Sequence, residues 1–162
     1  MSAALRSMIM LAGLLAAGWA NITRTEVPPQ PHRIDPRLLK LRQFFTGLHA
    51  PAYSLSEQFL EASDQNGLDW RLLPSVSVLE SGGGKQYTNN NILGWDSCRQ
   101  GFPSVRAGIQ HVARRLAHSP LYKDKSLDGI LTTYNPDPGY PHRVKSLMTR
   151  LGSGPASRST SP

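Results

Sequence analysis

"GLDWRLLPSVSVLESGGGKQYTNNNILGW", Gly67–Trp95, decides how the chain is read. Its first half sets Leu72, Val76 and Leu79 at helical spacing behind Asp69, a residue able to cap a helix start. Pro74 inside that pattern lacks a backbone donor and is expected to kink or delay the helix. The second half is rich in glycine and asparagine, and between the halves stands Glu80, the last glutamate of the chain. A lone carboxylate where an apolar helix gives way to an amide-rich loop needs a chemical reason.

Working outward, helix signals continue on both sides. Asp35-Pro36 pairs an N-cap with proline at the first helical position and opens "RLLKLRQFF". In "SLSEQFLEASDQNG", Ser54 and Glu57 have capping-box spacing and Gly67 is a stop signal. Ser104 is placed to cap a helix with Ile109, Val112, Ala113 and Leu116 on one face, and Ser126 to cap "LDGILTTY". A last helix carries Val144, Leu147, Met148 and Leu151. No segment alternates as a strand, although the loop from Lys85 to Phe102 has room for a small hairpin. The expected fold is mainly all-α, spanning 35–151 as one domain, with a short loop or hairpin lobe.

The ends read differently. Arg6 and the apolar run Met8–Ala17, followed by small residues up to Ala20, read as a signal peptide over 1–20; a retained membrane tether is the alternative. Residues 21–34 read as a proline-bearing linker and 152–162 as a low-complexity, disordered tail. The expectation is an exported chain, periplasmic or extracellular. Cys98 is the single cysteine, so no internal disulfide can form and packing must hold the fold. The net charge of +7 suits an anionic envelope, but the basic residues are scattered and form no nucleic-acid module.

Several sharp motifs fail on inspection. Leu79 occupies a position where both a nucleophile elbow and a phosphate loop need glycine. His111 and His118 lack zinc-site spacing, so neither metal nor cofactor is expected. Glu80 remains. Burial at the end of an apolar helix raises a carboxyl pKa and makes a proton donor, as glycosidic cleavage requires. The glycines would admit a bulky substrate, and the asparagines would offer donors and acceptors to amide-bearing sugars. An ordinary surface glutamate followed by a flexible helix end is the competing reading.

Three ordered segments, "GLDWRLLPSVSVLESGGGK", "NNNILGW" and "YNPDPGY", resemble the lysozyme-like peptidoglycan glucosaminidases of glycoside hydrolase family 73. More distantly the chain is similar to lytic transglycosylases and goose-type lysozymes. The resemblance covers Ser56 to Leu151. It implies an enzyme cleaving β-1,4 bonds of peptidoglycan glycan strands, with Glu80 as the acid; the chain is expected to be a monomer. It further implies a sugar-holding set of Asn90, Asn91, Gly94 and Trp95, with Tyr134, Asp137 and Tyr140 from the late tyrosine segment. For Tyr134 and Tyr140, core packing is the alternative. The family commonly carries a second acid in a lobe that is shortened here to "WDSCRQGF", where Asp96 is the sole carboxylate. Asp96 is therefore the candidate second catalytic residue for hydrolysis; without it, a single-acid transglycosylase or a non-catalytic glycan-binding domain follows.

Overall fold

The computed structural model describes residues 35–153. The signal-type segment, the linker and the tail from 154 onward lie outside the described residues. The described chain is all-α: α1 (Pro36–Gly47), α2 (Ser56–Gln65), α3 (Leu72–Ser81), α4 (Val105–His118), α5 (Leu127–Tyr134) and α6 (Tyr140–Ser153). A 3₁₀ turn, Pro51–Leu55, precedes α2.

α3 is the central element. Leu72, Leu73, Pro74, Ser75, Val76 and Ser77 are all buried, so the helix is enclosed on nearly every side, as an apolar all-round helix must be. It packs most extensively on α6, while α2 packs on α4 and α1 bridges α2 and α6. The shared core includes Phe45, Phe59, Ile109, Val144 and Leu151, with Phe45 and Phe59 ring centroids 5.7 Å apart.

The caps at Asp35, Ser104 and Ser126 form as the sequence predicts, each side chain accepting a backbone N–H of the first turn. Of the two outcomes expected for Pro74, the structure shows the delay: α3 begins only at Leu72, and the proline sits in its first turn, where no intrahelical donor is required. Two expectations are corrected. Ser54 forms no capping box; it lies in the 3₁₀ turn and donates its hydroxyl to the Pro51 carbonyl at 3.1 Å. The domain also runs past residue 151. Gly152 and Ser153 continue α6, with Lys40 Nζ donating to the Gly152 carbonyl at 3.1 Å.

The loop between α3 and α4 holds no hairpin among the described residues. One backbone bond, Phe102 N to the Asn89 carbonyl at 2.9 Å, closes it. Within it, Asp96 (φ 50°), Ser97 (φ 52°) and Cys98 (φ 60°) form a left-handed turn of three successive non-glycine residues.

Candidate active site

Glu80 lies in the last turn of α3, half-buried on the wall of a cleft of about 660 Å³. The other walls come from the α3–α4 loop, the C-terminal turn of α4, the segment that follows it and the end of α5, contributing Trp95, Asp96, Arg115, Tyr122 and Tyr134. Burial raises the Glu80 pKa above the usual carboxylate range, partly offset by a hydrogen bond from the Tyr140 hydroxyl to Oε1 at 2.7 Å. Oε2 faces Gly94 so closely that a Cβ on that glycine would stand 2.5 Å from it. Gly94 also has φ +68°, so both space and backbone conformation select glycine.

The tyrosines meet through the Asn-Pro-Asp-Pro-Gly turn between α5 and α6. Asn135 Oδ1 accepts from Asp137 N, and Asp137 Oδ1 accepts from Gly139 N, folding the turn. The rings of Tyr134 and Tyr140 then stack at 6.2 Å with 13° between planes. Tyr140 is only 2% exposed and does not line the cleft; it reaches the site through Glu80. Tyr134 gives the cleft its ring, while its hydroxyl donates to the Leu93 carbonyl. Burial, followed by the charge of Glu80, pushes the Tyr134 phenol well above its ordinary pKa.

Other expected sugar contacts sit elsewhere. Asn91 is buried, its amide nitrogen donating to the carbonyls of Trp95 (2.8 Å) and Gln100 (3.0 Å). Its Oδ1 accepts from Trp95 N at 2.9 Å, so the whole side chain is committed to folding the loop. Asn90 donates to the Phe102 carbonyl at 2.8 Å and adopts a left-handed conformation that asparagine tolerates. Asp137 is exposed and ion-paired with Arg143 at 2.7 Å, which holds its carboxyl below the usual range. None of Asn90, Asn91 or Asp137 lines the cleft; all three are scaffold.

In the triple glycine, Gly83 is buried and its neighbours are half-buried. Gly82 ends α3 in the left-handed conformation, and a Cβ on Gly83 would stand 2.7 Å from that of Ala50. Gly82 terminates the helix and Gly83 admits the chain at Ala50, just after α1, leaving Gly94 as the one that meets the carboxylate.

Trp95 and Asp96 do reach the cleft. Trp95 packs edge-on to His111 and tilted against Tyr122 and Tyr134, with centroids near 6 Å. Asp96 is ion-paired with Arg99 at 2.5 Å on a partly exposed surface. Arg115, Leu121 and Tyr122 were not legible as site residues. Arg115 looks in sequence like a cation complementing the C-terminal end of α4, and the segment after that helix has no periodicity. The chain matches no protein-family model and no curated protein.

Proposed function

We propose that this chain is an exported, lysozyme-like glycosidase that cleaves β-1,4 bonds in the glycan strands of peptidoglycan. The observation that carries the reading is Glu80: a half-buried carboxyl with a raised pKa, held by a phenol on one oxygen and opening on a cleft with the other side chains of a polar, aromatic wall. A carboxyl whose pKa is raised keeps its proton to higher pH than an ordinary one and can deliver it to a glycosidic oxygen as the bond breaks. Tyr140 donates to Oε1, which leaves Oε2, beside Gly94, to carry that proton. Trp95 and Tyr134 present apolar ring surface on which a sugar ring can lie.

Among the described residues, Asp96 is the other carboxylate on the cleft wall, and hydrolysis assigns it the task of activating or replacing water. Its pairing with Arg99 favours a second reading, in which Glu80 acts first as acid and then as base. Attack by the sugar's own 6-hydroxyl then closes a 1,6-anhydro ring. Mass spectrometry of digested sacculi separates the two: water-added products lost on Asp96→Asn support hydrolysis, and anhydro products that persist in that variant support the single-acid route. Zymography of the wild type against purified cell walls tests the activity itself. A Glu80→Gln variant retaining more than a few per cent of cleavage would sink the assignment, since an amide keeps the shape and cannot protonate a leaving oxygen.

A further inference from the structure

Arg115 is a cation on the cleft wall that forms no ion pair among the described residues, whereas the cleft's Asp96 is already paired with Arg99. Its side chain donates no hydrogen bond among the described residues and is exposed. Its charge is felt by two neighbours. It contributes, after burial, to holding His111 below its ordinary pKa, and it lowers Tyr122 against the upward push of burial. Tyr122 lines the same cleft as Arg115, and so does the next residue toward the N-terminus, Leu121. Leu121 is 54% exposed, the most exposed large apolar side chain among the described residues.

A planar cation without an acceptor and an exposed apolar side chain, both lining one cleft, match an anionic ligand group that carries a small alkyl substituent. Resting on the proposed function, we propose that Arg115 and Leu121 form a specificity subsite for a carboxylate flanked by a methyl group, Arg115 taking the carboxylate in its fork and Leu121 covering the methyl. A peptidoglycan strand offers that pairing in two places. One is the lactyl arm of a muramic sugar whose peptide has been removed; the other is the terminal D-alanine of an attached peptide stem. A chitin oligomer, with the same linkages and acetamido groups, offers neither.

The test is calorimetric binding of three ligands of equal sugar number to the Glu80→Gln chain, which prevents turnover. They are a chitin tetrasaccharide, a stem-free strand fragment bearing lactyl carboxylates, and a fragment bearing stems that end in D-alanine. The expected result is about tenfold tighter binding of one or both carboxylate-bearing fragments than of chitin, as one exposed charge-assisted pair supplies. That ratio should fall to near one when Arg115→Ala is added, and recover in part with Arg115→Lys, which restores the charge but not the fork. Tighter binding of the stem-free fragment assigns the lactyl arm, and tighter binding only with stems assigns the D-alanine terminus. If all three bind alike, or if the preference survives Arg115→Ala, the subsite is overturned while the glycan-cleaving function stands. If none of the three binds, the functional reading falls and takes the subsite with it.

Discussion

At Glu80 two oxygens have different neighbours, and single-atom changes tell them apart. Tyr140→Phe removes the bond to Oε1 while keeping the buried ring. That bond lowers the Glu80 pKa against burial, so its loss should move the upper limb of the pH–rate profile to higher pH. The expected drop falls in kcat rather than KM, and a KM-only change would make Tyr140 a sugar contact instead. Gly94→Ala presses on Oε2 and strains a left-handed backbone. It should lower activity strongly and reduce stability by about 1–3 kcal/mol by denaturant titration. Asn91→Ala should cost about 2–3 kcal/mol, because it leaves two carbonyls and one N–H of the loop unpartnered. Unchanged stability with weakened glycan binding would return Asn91 to the sugar-holding set.

Helix starts separate two serines that look equivalent in sequence. Ser104→Ala should cost about 1 kcal/mol, since Ser104 Oγ accepts from Ala107 N. Ser54→Ala should stay within about 0.5 kcal/mol, because its hydroxyl bridges only to an exposed 3₁₀ carbonyl. Thermal melts of the pair check both. The contrast explains what could be read in advance. Ser104, Ser126 and Asp35 satisfy a need set within three residues, so local pattern suffices. Ser54 follows Pro51 and Ala52, whose N–H bonds to the distant Gly83 carbonyl, and no local rule contains that partner. Glu80 was legible because burial follows from the apolar helix around it. Its partner Tyr140 was visible as a family-like residue but not as a bond to Oε1, and Arg115 was hidden in the polar face of α4. Asn90 and Asn91 misled for a related reason: the same amide donors serve a sugar or a backbone, and only the loop's closure shows which.

For the molecule as a whole, pH acts through opposed groups. Glu80 holds its proton to higher pH in the folded chain than in the unfolded one, so between the ordinary carboxylate range and its raised value stability falls as pH rises. Asp35 and Asp69 are lowered by hydrogen bonds from Arg37 and Arg71, so what they contribute is lost as pH falls through their depressed values. Glu80→Gln should therefore melt higher than the wild type near neutral pH, and the difference should vanish in acid. A wild-type advantage at neutral pH would contradict the burial of Glu80. The same site holds the left-handed run Asp96–Cys98, where each residue adopts a conformation its own Cβ disfavours by roughly 1 kcal/mol. The cleft wall thus rests on a spring that the Asn91 bonds keep wound. In hydrogen exchange, amides from Ser97 to Gly101 should open well before those of α3 and α6, and Ser97→Gly should slow that opening. Among the described residues the cleft wall would then be the first part to breathe, and under the proposed function this admits a long polymer sideways without disturbing the helix that carries Glu80.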